Sequence, residues 1–187
     1  ILKMLSSAPL EGSVDPQLVF TPENWKVPQT VIITGQSDDK VDGNQEFYIY
    51  FKVESDDIKY SNFLPLQKVK LINIDTNTPG FNISLISGPT REDGTFATFS
   101  FYLNTQPDSE VTVNLQTSDS TEGLPSLSQL TFDSENWNIP QVIKVSGVDD
   151  QLNDGNQPYS IRFTVQTNDF NYLLKPTDVN VINEDLD

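Results

Sequence analysis

The side chains best suited to chemistry in this chain are carboxylates, and they come in clusters. One run reads Asp149-Asp150-Gln-Leu-Asn-Asp154-Gly-Asn-Gln157, and another reads Glu184-Asp185-Leu-Asp187. Glu92-Asp93 opens one apolar alternation, while Asp119 and Glu122 follow a second. Carboxylates gathered in neighbouring loops repel one another unless a cation shares them. Ca²⁺ suits such loops, because it accepts about six to eight oxygens in flexible geometry. A solvated acidic surface that serves solubility accounts for the same clusters. The residues by themselves leave both readings open.

The remaining composition removes most other chemistry. The 187 residues include 11 basic and 27 acidic side chains, a formal net charge of −16, no His and no Cys. There is accordingly no imidazole base, no thiolate nucleophile, no disulfide and no zinc finger. The negative balance argues against nucleic acid, whose phosphates call for Lys and Arg. No apolar run approaches the ~18 residues of a membrane span. The opening ILKMLSSAP is too short in its apolar part, and too early broken by Lys3, to read as a signal peptide. Paired carboxylates can do acid–base work. Here they recur in loops with no cleft signal, so an enzyme is not expected.

An internal repeat organises the chain. QLVFTPENWKVPQTVIITGQSDDKVDGNQEFYIYFKV begins at Gln17, and QLTFDSENWNIPQVIKVSGVDDQLNDGNQPYSIRFTV begins at Gln129. Trp25 and Trp137 stand 112 residues apart, and that offset holds through Tyr60 and Tyr172. The copies share Glu-Asn-Trp, Pro-Gln, a Gly closing the next apolar run, and Asp-Gly-Asn-Gln. Ile1 to Ser6 aligns with Val111 to Gln116, in the middle of a module. The reading is therefore an incomplete module over residues 1–79 and a complete one over 80–187. The complete module is also the acidic one: it holds 4 basic and 16 acidic groups, hence −12, against −4 for residues 1–79.

The elements that hold these loops have a period of two. Phe81, Ile83 and Leu85 alternate with polar residues, as do Val111, Val113 and Leu115. Further strands are expected around Phe96–Leu103, Leu130–Phe132, Val142–Val145, Tyr159–Val165 and Val179–Val181. Turn residues separate them, including Gly88-Pro89, Asp93-Gly94, Glu122-Gly123 and Asp154-Gly155. About seven short alternating strands in about 100 residues point to an immunoglobulin-like sandwich. The expected class is all-β, with two tandem sandwiches, the first lacking its two N-terminal strands. Trp25 and Trp137 are read as structural rings that plug a corner of the core, and Tyr60 and Tyr172 are read the same way.

With these motifs in order along the chain, the module resembles the Calx-beta domain and its relatives in bacterial tandem-repeat surface proteins. The resemblance rests on Glu92-Asp-Gly-Thr, Thr117-Ser-Asp119, Asp149-Asp150 with Asp154, and the exit Asp185-x-Asp187. It implies Ca²⁺ held in loops at the end where the last strand leaves. By position the implied ligands are Glu92, Asp119, Asp149, Asp150, Asp154, Asp185 and Asp187. Gln151 and Leu186 depart from the pattern of the best binders. The first copy keeps Asp38, Asp42 and Asp75, but has Ser37 opposite Asp149, Asn77 opposite Asp187, and Pro9 near the Asp119 position. A poorer site is expected there. A cation near Asp75 and Asn77 would stiffen the following linker.

These readings lead to a calcium-stiffened structural module of a secreted or cell-surface protein, as part of a stalk, adhesin or filament. Its expected partners are neighbouring modules of the same or an identical chain. An adhesive module binding a glycan or protein is the alternative. Another is a filament subunit whose missing strands come from a neighbouring chain, since an open apolar edge is either a hazard or a docking site. A fragment of a longer array accounts equally for the first copy.

Overall fold

The computed structural model describes residues 1–61 and 67–186. It divides into two compact units, Ile1–Asp38 with Asp42–Thr76, and Asp39–Val41 with Asn77–Asp187. Unit 1 contains β1 (Leu2–Ser6), β2 (Gly12–Val14), β3 (Gln17–Leu18), β4 (Ile33–Gly35), β5 (Gln45–Val53), a short helix α1 (Ile58–Ser61) and β6 (Val69–Asn73). Unit 2 contains β7 (Phe81–Ile83), β8 (Thr90–Arg91), β9 (Phe96–Leu103), β10 (Val111–Thr117) and β11 (Gly123–Pro125). It continues with β12 (Gln129–Phe132), β13 (Gln141–Gly147), β14 (Gln157–Thr167), a 3₁₀ turn at Phe170–Tyr172, and β15 (Val179–Glu184). Among the described residues, no helix is long and apolar enough to cross a membrane.

Unit 2 is an immunoglobulin-like sandwich of two sheets, ordered β12-β10-β14-β15-β8 and β11-β13-β9-β7. All pairings are antiparallel except β15 with β8, which run parallel. The alternation read from sequence becomes inward and outward faces. On β9, Ala97, Phe99, Phe101 and Leu103 point into the core, and on β10 so do Val111, Val113 and Leu115. Phe101 packs on both Phe132 and Phe163, with centroids 5.8 and 5.3 Å apart. Burying each such side chain contributes about 1.5–3 kcal/mol. Two strands that the alternation did not indicate, β8 and β11, are two and three residues long. Runs that short cannot show a period. They lie where the sequence offered only turn residues, after Gly88-Pro89 and at Glu122-Gly123.

Unit 1 has a sheet ordered β3-β1-β5-β6 and a pair, β2-β4. These match β12-β10-β14-β15 and β11-β13 of unit 2 in order. Among the described residues, nothing in unit 1 corresponds to β7, β8 or β9. Its buried core is correspondingly small: Met4, Phe47 and Ile49, with Val14, Val31, Ile33 and Leu71 partly covered.

The repeated Glu-Asn-Trp-x-x-Pro-Gln segment is a hydrogen-bonded corner in both units. Asn136 and Gln141 both donate to the carbonyl of Thr131, at 3.3 and 2.9 Å. Asn24 and Gln29 do the same to Val19, at 3.1 and 3.0 Å. The carboxamide oxygens of Asn136 and Asn24 accept the N–H groups of Asp133 and Thr21. These amides therefore serve the backbone turn, not a ligand.

Candidate metal centre

Three carboxylates converge in unit 2. Glu122, Asp150 and Asp154 each present an oxygen within 4.8 Å of the others. Glu122 directly precedes β11, and the two aspartates lie on the loop between β13 and β14. Glu122 is only 6% exposed, which is rare for a glutamate without a partner. Its partner is Asn183 on β15, whose amide donates to Glu122 Oε2 at 3.2 Å and to the Val148 carbonyl at 3.0 Å. The Asn183 oxygen in turn accepts from the Thr90 hydroxyl at 3.0 Å, and that hydroxyl bonds the Tyr159 hydroxyl at 2.9 Å. Glu122 is thus fixed at the end of a buried polar chain. Gly123 is what allows the close approach, because a Cβ there would overlap the Tyr159 ring.

The electrostatics of this group are unfavourable as it stands. Burial pushes the Glu122 carboxyl above its usual range, and the charges of Asp150, Asp154 and Asp119 push the same way. The Asn183 bond opposes them. A divalent cation at the focus would convert each of these repulsions into an attraction.

Unit 1 builds the same arrangement. Glu11, Asp38 and Asp42 bring carboxylate oxygens within 4.8 Å of one another. Asn73 on β6 donates to Glu11 Oε2 at 3.1 Å and to the Gln36 carbonyl at 2.6 Å. A Cβ on Gly12 would overlap the Phe47 ring, as one on Gly123 would overlap Tyr159. Glutamate, glycine, aromatic ring and asparagine therefore recur as a set.

The Asp-Gly-Asn-Gln motif has a structural role beside both groups. Gly155 and Gly43 take φ of 77° and 75°, a conformation open to glycine at little cost. That turn aims the Gly155 N–H at Asp185 Oδ2, 2.6 Å away, and the Gly43 N–H at Asp75 Oδ2, 2.8 Å away. Asp185 and Asp75 return the bond, donating their N–H groups to the side-chain oxygens of Asn156 and Asn44. Gln157 and Gln45 donate to the carbonyls of Asp154 and Asp42. A two-way clasp thus ties the acidic loop to the exit of the last strand in each unit.

Asp119, Asp149 and Glu92, also implied by the family resemblance, accept hydrogen bonds of their own. Asp119 accepts from the N–H and hydroxyl of Thr121, at 3.0 and 2.6 Å, and these bonds hold its carboxyl below the usual range. Asp149 accepts the N–H of Gln151 at 2.8 Å. Glu92 accepts the N–H of Leu186 at 2.7 Å, beside the exit of β15. Asp187 lies outside the described residues. The expectation of a poorer first site rested on Ser37 opposite Asp149, Asn77 opposite Asp187 and Pro9 near the Asp119 position. The structure instead gathers Glu122 in unit 2 and Glu11 in unit 1. Glu122 was visible in sequence only as one acidic residue among several, and Glu11 was not singled out. The available signal was a Glu-Gly pair ahead of a strand in both copies. It was hidden because its offset, 111 residues, falls between the 110 of the first strands and the 112 of the rest.

No family model and no curated protein matches the chain. Among solved structures it is similar to a crystal structure of the periplasmic chaperone SfaE, at 4% identity and a TM-score of 0.42, over 58% of each chain. It is also similar to a crystal structure of the apo-form Calx CBD1 domain, at 16% identity and a TM-score of 0.39. That likeness covers 57% of this chain and 98% of the other. The chain thus spans about 58% of the length of the chaperone it matches.

Proposed function

We propose that this protein is a calcium-stiffened structural repeat of a secreted or cell-surface assembly. The observation behind this reading is the duplication of the acidic group together with its tether. In both units a glutamate, held by an asparagine from the last strand, meets two aspartates from one loop. A merely solvated acidic surface has no reason to repeat a covered glutamate, buried in unit 2 and partly buried in unit 1, together with its anchor.

In each unit, the glutamate and the two aspartates would hold Ca²⁺, a hard cation that takes oxygen ligands. Bound there, it neutralises the mutual repulsion of the three carboxylates. The glutamate belongs to one connection and the aspartates to another, so sharing an ion cross-links two loops of the sandwich. The clasp to Asp185 or Asp75 extends that restraint to the last strand. The protein supplies the geometry, and the ion supplies the charge that makes the closed arrangement stable.

Thermal melting in EGTA and in excess calcium tests this. Binding to the folded state alone raises stability by about 2.7 kcal/mol when free calcium is about a hundred times Kd. A higher midpoint in calcium is expected, and Glu122→Gln with Glu11→Gln should remove most of the difference. Equal midpoints in the unsubstituted protein would leave both groups as surface charge.

A further inference from the structure

The outward faces of the two equivalent sheets carry different residues. In unit 1, Phe47 and Ile49 of β5 and Met4 of β1 are buried in the core, so Tyr48, Tyr50, Lys52 and Lys3 point outward. Lys70 on β6 and Lys68 just before it are exposed as well. Strand pairing draws these side chains together: Lys3 stands opposite Lys52, and Tyr48 opposite Lys70. The Tyr48 and Tyr50 rings are 6.4 Å apart, and the Lys68 ammonium lies 3.7 Å from the centre of the Tyr48 ring. The same pairings in unit 2 put Asn114 opposite Thr164 and Ser160 opposite Asn180. Arg162 takes the place of Tyr50, and Asp178 that of Lys68. All these positions lie on or next to strands that both units possess. The contrast is therefore one of residue type.

The fold does not ask for this chemistry. Like charges directly opposite one another destabilise a sheet, and unit 2 builds the same sheet with neutral residues there. Protection of an edge strand does not require the lysines either. Among the described residues, β8 pairs only with Asn183 and Glu184 of β15, so Asn180 stands on an edge as Lys70 does. Two glutamates offset part of the charge. Glu54 is shared by Lys3 and Lys52, at 2.7 and 3.1 Å, and Glu46 pairs with Lys70 at 2.5 Å. Four lysines against two glutamates leave the face at +2. Residues 1–79 sum to −4, so the remainder of that stretch carries −6. Exposed ion pairs of this kind contribute little, and an anionic ligand exchanges for them at small cost.

We propose that this face of unit 1 binds a glycan chain in which carboxylate-bearing sugars alternate with neutral ones. Tyrosine offers a flat apolar body to the C–H face of a sugar and a hydroxyl to its polar groups. The lysines on both sides of the rings meet the carboxylates in charge-assisted hydrogen bonds. Size argues against a protein as the occupant. Three strands about 4.8 Å apart and five residues long, at about 3.4 Å per residue, give a face of roughly 250 Å². A stable protein interface takes about 800 Å² from each partner, whereas a glycan chain crosses such a face with a short stretch in contact. Charge argues against a densely charged polymer such as nucleic acid. The −6 elsewhere in residues 1–79 and the −12 of residues 80–187 repel it. Spaced carboxylates reach the lysines while bringing fewer charges near that acidic remainder. The face shares no residue with either acidic group, so this inference stands apart from the calcium reading.

The test titrates the whole 187-residue chain with a hyaluronan oligosaccharide, followed by calorimetry and NMR. EGTA is present throughout, so that calcium does not bridge the sugar carboxylates to the acidic groups. Binding should saturate, weaken as salt is added, and shift the ring signals of Tyr48 and Tyr50. Lys52→Gln with Lys70→Gln should weaken it at least about tenfold, and Lys52→Arg with Lys70→Arg should restore most of it. Tyr50→Ser should also weaken binding, while leaving the melting midpoint near its original value because Tyr50 is 45% exposed. Arg162→Gln in unit 2 should leave binding unchanged. The proposal is overturned by absence of saturable binding, by equal binding of a neutral chitin oligosaccharide, or by full binding in the glutamine pair. Tighter binding of heparin than of hyaluronan would make the face a general anion exchanger and would overturn it too. So would self-association of the chain that the glutamine pair abolishes, because a second copy would then be the occupant.

Discussion

The two units share the same repeated motifs, yet the described residues close a core in one and leave it open in the other. Unit 2 surrounds Phe101 with aromatic rings and buries Tyr172 completely. Unit 1 keeps the matching corner, clasp and acidic group, but leaves Trp25 and Tyr60 in solvent. Among the described residues, the acidic group of unit 1 therefore forms without counterparts of β7 and β9. One residue pair marks this separation. Tyr159 uses its hydroxyl to meet Thr90, at the head of the chain that fixes Glu122. At the matching position unit 1 has Phe47, and its described residues include no counterpart of Thr90. The asparagine tether persists in both, so the tether, not the hydroxyl pair, is the shared requirement.

The largest expected break in this comparison comes from the closed core. Phe101→Ala should cost about 3–5 kcal/mol in urea denaturation, the usual range for a buried phenylalanine. Trp25→Ala in unit 1 should stay within about 0.5 kcal/mol, as expected for an exposed site. A reversed order would mean that unit 1, not unit 2, holds the packed aromatic centre.

A second contrast concerns the tethers. Asn183→Ala leaves a buried glutamate and the Val148 carbonyl without their donor, at an expected cost of about 1–3 kcal/mol. Asn73→Ala should cost less, because Asn73 is only partly buried. Ion counting sharpens the same point. Asp154→Asn and Asp42→Asn should each remove one calcium equivalent in isothermal titration and leave the other unit's equivalent in place. Loss of both from either substitution would show that the two groups are not separate sites.

The smallest expected effect is on pH. The raised Glu122 carboxyl means that the folded chain binds this proton more tightly than the unfolded chain does. In EGTA, its contribution to stability therefore falls as pH rises from 4.5, the ordinary glutamate value, through the raised one. Melting across that window should show a decline that Glu122→Gln flattens. A profile unchanged by Glu122→Gln would remove Glu122 from the electrostatic account.

Most of the fold was legible because alternation reports directly on which face of a strand is buried. Phe99 and Phe101, or Val111 and Val113, could be assigned to a core before any coordinates. The repeat added the corner and the clasp as recurring words, Glu-Asn-Trp-x-x-Pro-Gln and Asp-Gly-Asn-Gln. Their meaning was not legible. Nothing in the letters says that Asn136 and Gln141 converge on one carbonyl, or that Gly155 turns its N–H toward Asp185. The strands β8 and β11 were missed because two or three residues do not make a pattern. The acidic group was half visible: Asp150, Asp154, Asp38 and Asp42 stood out as clusters, whereas Glu122 and Glu11 were single glutamates at an irregular offset.

The chain's letters alone determined the class of chemistry, since a sequence without His or Cys and with 27 acidic residues leaves carboxylate and carbonyl oxygens as its main metal donors. They also determined the strand periodicity and the duplication, because both are properties of order along the chain. Tertiary structure decided which carboxylates meet and which aromatic rings stay uncovered. Those outcomes depend on strand pairing between residues far apart in sequence, where a shift of one position changes the face on which every side chain lies.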